Sequence, residues 1–325
     1  MNILRLEAKH KVFETYSFEK IVFKYDNIQI NIELSDKKLI IILCGRKSIN
    51  KIKNVLFKLY DLVFLILGSF PLIESVFIND KKIDISDWVR KFKTSMHFVE
   101  KEAMLCEISS KIINAEALDR MGCINRNVLS SMEYIVSEYY EHMVSNHRIE
   151  LMTHTIDGFL RHTNQYDALL KELKNKNSKK NRIDYIESVE RVFRIFFFYH
   201  RKNNAQILQC VHIKNKCEFL QIISDTRNDF THFLENKEHR LIKGRDMVYF
   251  IDLIFLANRL FILKEILYLP IMDEQVEEYM YILHDWIDEI VNGRSDRIKS
   301  KRYRQLVRIK EANDFYKEIY NEFAK

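Results

Sequence analysis

The sequence predicts an α+β domain over residues 1–100, a mainly α-helical bundle over 101–293 and a basic C-terminal helix over 294–325. Three observations predict it. Apolar residues alternate at period two in the first hundred positions and fall at helical spacing afterwards. Six glycines and two prolines in 325 residues are far below the roughly 40 of average usage, which favours long helices with few tight turns. A hydrophobic content of 47% supplies a sizeable core.

In residues 27–34, Ile28, Ile30, Ile32 and Leu34 alternate with Asn27, Gln29, Asn31 and Glu33, a strand with one buried and one wet face. Ile21, Phe23 and Tyr25 alternate before it. An apolar run over 39–44 follows the turn Ser35, Asp36, Lys37, Lys38, so an antiparallel meander is expected. Residues 51–70 read as a helix. The uncharged stretch 62–73 between Asp61 and Glu74 falls short of the roughly 18–20 residues that cross a bilayer, and reads as a buried helix ending at Pro71. Val76, Ile78, Ile83 and Ile85 flank a turn at Asn79 and Asp80 as a further hairpin.

Beyond residue 100 the period changes. Val128, Leu129, Met132, Ile135, Val136, Tyr139, Tyr140 and Met143 lie on one helical stripe, with Ser130, Glu133, Glu138 and Glu141 largely away from it. Helical patterns follow over 150–173, 183–199, 217–233, 245–269 (before Pro270), 274–291 and 302–323. Residues 171–182 read as a loop between two of these helices. In the helix over 245–269, Tyr249, Phe250, Phe255 and Phe261 spread over more than one face, which suggests surface available to a partner.

Composition excludes several function classes. No two glycines lie close enough for a phosphate-cradling loop, and no G-x-S-x-G, H-E-x-x-H or deaminase signature occurs. The five cysteines are scattered without a C-x-x-C pair, and Cys210, His212 and Cys217 match no common zinc spacing, so neither metal nor cofactor is expected. No apolar leader segment opens the chain, and the reducing cytoplasm is the expected compartment, with no membrane span. Net charge is +6. Residues 294–310 carry a local excess of +7 and residues 171–182 one of +5, leaving −6 for the remainder. Positive charge gathered in two segments suits a polyanion such as RNA; an ordinary solvated loop and tail is the alternative.

The string TRNDFTH contains Arg227 and Asn228, then three residues, then His232. These residue types suit RNA cleavage without a metal. An imidazole titrating near neutrality can take a proton from a ribose 2′-OH or give one to a departing 5′-oxygen. A guanidinium offers fixed donors to phosphate oxygens as charge builds. Asn228 and His232 share a helical face, so Asn228 could orient the imidazole. Arg227 stands about 140° from His232 on an ideal helix, a gap that its long side chain or a helix start near residues 224–226 must close. Arg227 could instead pair with Asp225 or Asp229.

The motif, with Phe219, Ile222 and Ile223 before it and the apolar helix after it, resembles the signature of the HEPN superfamily in its ApeA-like branch, over roughly residues 125–290. The resemblance implies an α-helical bundle and a metal-independent endoribonuclease with Arg227, Asn228 and His232 as its active-site triplet. It further implies a role in bacterial anti-phage defence, abortive infection or a toxin system. RNA, tRNA included, is the implied substrate. A homodimer is expected, because in-line cleavage needs a base and an acid on opposite sides of the phosphorus while one motif supplies one histidine. The N-terminal region resembles the accessory domain that often precedes this branch and is by elimination expected to be the sensor, for a regulatory partner or phage-derived trigger, or the target-recognition part. The alternatives are a non-catalytic RNA- or protein-binding module, or the HEPN partner of a separate nucleotidyltransferase.

Overall fold

The computed structural model describes residues 1–84, 104–124, 126–136, 145–161, 163–177, 179–202, 207–232, 240–243 and 245–292. Ile85, the distal part of the stripe (Tyr139, Tyr140 and Met143), the basic run over 294–310 and the helix expected over 302–323 lie outside them.

The period-two segments build a six-stranded antiparallel sheet in the order β2-β3-β4-β1-β5-β6. Its strands are β1 (Asn2–Lys9), β2 (Ile21–Tyr25), β3 (Ile28–Ser35), β4 (Lys38–Gly45), β5 (Leu72–Ile78) and β6 (Lys81–Lys82). The sequence reading omits β1, yet β1 sits inside the sheet, pairing Leu4 with Leu43 on one side and Ile78 on the other. Its alternation is brief: Leu4, Leu6 and Ala8 are buried while Arg5 and Glu7 are not. Turns at Asp26-Asn27, Asp36-Lys37 and Asn79-Asp80 hold positive φ at both central residues. Two-residue hairpin loops demand that conformation, which short polar side chains tolerate best.

Helix α1 (Ile49–Leu67) crosses one face of the sheet. It ends at Leu67 rather than at Pro71. Gly68 takes the left-handed conformation (φ 78) and donates its N–H to Phe64 O at 2.7 Å, so the uncharged stretch is a helix end, a turn and the start of β5. Phe70 then folds back and stacks on Phe64, with ring centroids 4.1 Å apart.

The helical part comprises α2 (Ala115–Met121), α3 (Arg126–Val136), α4 (Ser145–Arg161), α5 (Gln165–Lys176), α6 (Tyr185–Lys202), α7 (Ile207–Cys210), α8 (Lys216–His232), α9 (Arg245–Phe261), a π-helical turn (Ile262–Ile266) and α10 (Asp273–Asn292). One expected helix, 150–173, is two, broken where Thr163 caps back onto Phe159 O (2.6 Å). Half of the expected loop over 171–182 belongs to α5. Helix α9 packs on α4 and α6. An aromatic stack of Phe193, Phe196, Phe219 and Phe250 fills the space between helices. Tyr249, Phe250, Phe255 and Phe261 are all buried within the chain. Their spread over several faces reflects burial on several sides, and none is left for a partner.

Arg259 of α9 joins the two parts. It is fully buried, its Nε donates to Leu65 O (3.0 Å) and its Nη2 to Ile66 O (2.9 Å). Those are last-turn carbonyls of α1, which have no acceptor role within their own helix and carry the negative end of its dipole. Burial brings the guanidinium pKa down to about 10, so it remains charged at neutral pH. The Leu105 N–H also donates to Ile66 O (3.0 Å), and the Met272 N–H to Leu105 O (2.9 Å).

A second buried polar contact makes stability depend on pH. The Val12 N–H donates to His10 Nδ1 (3.2 Å), which places the neutral ring's proton on Nε2, 2.8 Å from Ser69 Oγ. Burial holds this imidazole down at about 4. An unfolded histidine titrates near 6.5. The folded value being the lower, the contribution is complete above pH 6.5 and is lost as pH falls toward 4, by roughly 3 kcal/mol. Urea unfolding at pH 7.5 and 4.5 should show this loss in wild type and less of it in His10→Gln; equal losses would assign the effect to other groups.

Candidate functional site

Helix α8 runs unbroken from Lys216 to His232, so no helix start near residues 224–226 brings Arg227 toward His232. The arginine side chain alone has to close the angular gap. Thr226, buried, fixes the helix at this level by donating to Ile222 O (2.7 Å) and accepting from the Ile242 N–H (2.9 Å). Asn228 and His232 lie one turn apart on the same side of α8, and His232 is its last residue. The side chain of His232 lies outside the described residues.

Arg227 and Asn228 are both half-buried. The Arg227 Nη1 donates to Asn228 Oδ1 at 3.2 Å. Its guanidinium carbon stands 5.1 Å from the ring centroid of Tyr185, the first residue of α6. The Tyr185 hydroxyl in turn donates to Thr153 O of α4 at 2.6 Å. Burial pushes this phenol well above its ordinary pKa, the nearby Arg227 charge opposing and the Asp157 charge reinforcing the shift. Asp157 accepts from Arg161 Nε (2.5 Å) and faces Ser188 Oγ at 3.5 Å. Helices α4, α6 and α8 thus converge on a patch that presents a guanidinium, an amide and a carboxylate. Asp225, offered as a partner for Arg227, accepts from Gln221 Nε2 (2.8 Å).

The arrangement brings together Arg227 and Asn228 and adds Tyr185 and Asp157, which sequence reasoning missed. Their signal was weak: Tyr185 follows a basic run as one more aromatic at a helix start. Of the contiguous aromatics 196–199, Phe196 and Tyr199 are buried, leaving Phe198 as the outward one. Among the described residues no three His, Cys, Asp or Glu side chains gather as a metal site, and no helix is long and apolar enough to cross a membrane.

The helical part matches the family model of the Apea-like HEPN domain over residues 127–267, from α3 through the π-helical turn. No curated protein and no solved structure matches the chain.

Proposed function

We propose that the HEPN domain is a metal-independent endoribonuclease in which Arg227, Asn228 and His232 act on the scissile phosphate. The observation that carries this reading is Arg227, half-buried and held by Tyr185 and Asn228 one turn from the end of α8 where His232 stands. The imidazole moves the proton of the attacking 2′-OH, leaving a 2′,3′-cyclic phosphate. The guanidinium stabilises charge on the phosphate oxygens. Since Asn228 gives its carbonyl oxygen to Arg227, its amide N–H₂ is the group suited to an imidazole nitrogen. We place the activity in the cytoplasm, in bacterial anti-phage defence, abortive infection or a toxin system. Cys44, Cys106, Cys123 and Cys217, free thiols all, suit that compartment.

The purified protein, incubated in chelator with total RNA and with bulk tRNA, should cleave RNA and leave all-DNA strands intact. Cleavage of DNA, or survival of a substrate with a normal ribose at every position, would sink the mechanism. The active unit we propose is a homodimer with facing motifs, one imidazole as base and the partner's as acid. Mixed dimers of wild type with His232→Ala should then lose most activity, and a monomer at full specific activity would refute the arrangement.

The basic run over 171–182 covers the end of α5 and the connection that leads into Tyr185 at the start of α6. Lys176 pairs with Glu172, Lys180 with Asp184 and Glu187, and Arg182 with Asp184. Lys171, Lys174 and Lys179 are exposed and are the residues we assign to the RNA backbone. Changing all three to Gln should reduce the salt slope of RNA binding by about 2. An unchanged slope would make the run an ordinary solvated surface.

A further inference from the structure

We infer that Tyr185 is a positioning residue for Arg227, its ring acting as the platform that holds the guanidinium toward the phosphate; the inference rests on the ribonuclease reading above. Arg227 leaves α8 about 140° around the helix from His232, and an arginine side chain free to rotate would spread its charge over many rotamers. Two contacts restrict it. The guanidinium carbon stands 5.1 Å from the centroid of the Tyr185 ring, and Nη1 donates to Asn228 Oδ1 at 3.2 Å. A platform must itself be immobile. Tyr185 sits at the first position of α6, and its hydroxyl is anchored 2.6 Å from Thr153 O on α4, so the ring spans two helices to meet the third. The π-face attracts the cation without accepting a conventional hydrogen bond from it and without cancelling its charge. A carboxylate in the same place would hold Arg227 and neutralise it.

The ring and the hydroxyl predict different consequences, which the test exploits. Tyr185→Phe keeps the platform and loses the anchor; Tyr185→Leu loses the platform. Single-turnover cleavage of a short RNA should show kcat lowered roughly tenfold in Tyr185→Leu, the size of a partly desolvated cation–π contact, with KM within about threefold, and a smaller loss of kcat, roughly two- to threefold, in Tyr185→Phe. In parallel, the Arg227 Nε–H resonance, assigned by its disappearance in Arg227→Lys, should be displaced by the ring in wild type and Tyr185→Phe and return to the ordinary arginine range in Tyr185→Leu. Equal loss of kcat in both variants would overturn the assignment, as would a resonance that moves in Tyr185→Leu without a change in kcat. Should the wild type cut no RNA, the ribonuclease reading falls on its own account. The resonance then decides the Tyr185–Arg227 contact, and an undisplaced wild-type signal refutes it.

Discussion

Replacing His232 by alanine is expected to abolish RNA cleavage, and Arg227→Ala to do so nearly as completely. General acid–base catalysis by a placed side chain contributes about 10²–10⁴-fold, and loss of one charge-stabilising donor costs about 10²–10³-fold. His232 is the last residue of α8, and Arg227 is not a member of the stack of Phe193, Phe196, Phe219 and Phe250. Arg227 is half-buried, so Arg227→Lys is the better control for charge without the planar fork. Single-turnover rates, read beside far-ultraviolet dichroism and thermal unfolding, separate lost chemistry from lost fold. Either alanine variant cutting at the wild-type rate would remove that residue from the mechanism. Asn228→Ala should fall between, since an orienting group matters less than the group that moves the proton.

Gly68→Ala is expected to destabilise the fold by about 3–5 kcal/mol. Two costs fall on one methyl group. Gly68 holds φ 78, a conformation that costs a side-chain-bearing residue about 1–2 kcal/mol. The added Cβ would also stand 2.5 Å from Arg259 Nη1 and 2.8 Å from its Cζ. Relief requires the guanidinium to move off Leu65 O and Ile66 O, and hydrogen bonds from a charged donor contribute about 1.5–3 kcal/mol each. Arg259→Ala should cost a similar amount, by taking the donor from Leu65 O, leaving Ile66 O with the Leu105 N–H, and opening a cavity. Urea denaturation measures both; a Gly68→Ala midpoint equal to wild type would show that the junction yields without cost. For the same reason a chain lacking residues 1–100 should not fold alone, because it keeps the buried Arg259 and loses its acceptors. The regulatory role proposed for the N-terminal domain is better tested by surface substitutions in the full chain.

The meander and most helices were legible because their causes are local. Asn27, Asp36 and Asn79 stand at turns whose backbone demands residues of their kind, and alternation or helical spacing marks the elements between. Errors fell where a neighbour in space overrode a neighbour in sequence. The end of α1 at Gly68 depends on a guanidinium from α9 that fills the place a side chain would take. The aromatics of α9 looked like spare surface because the sequence does not say how many sides of a helix are covered.

By itself the sequence determined the order of sheet and bundle, the hairpin turns and the string from Arg227 to His232, since each is written in residues a few positions apart. Only the tertiary structure decided that β1 lies inside the sheet, that Arg259 spans the two parts, and that Tyr185 lies under Arg227. Each of these pairs groups far apart in the chain. Their worth comes from desolvation, and a charge or an aromatic ring has no settled energy until packing has chosen what replaces its water.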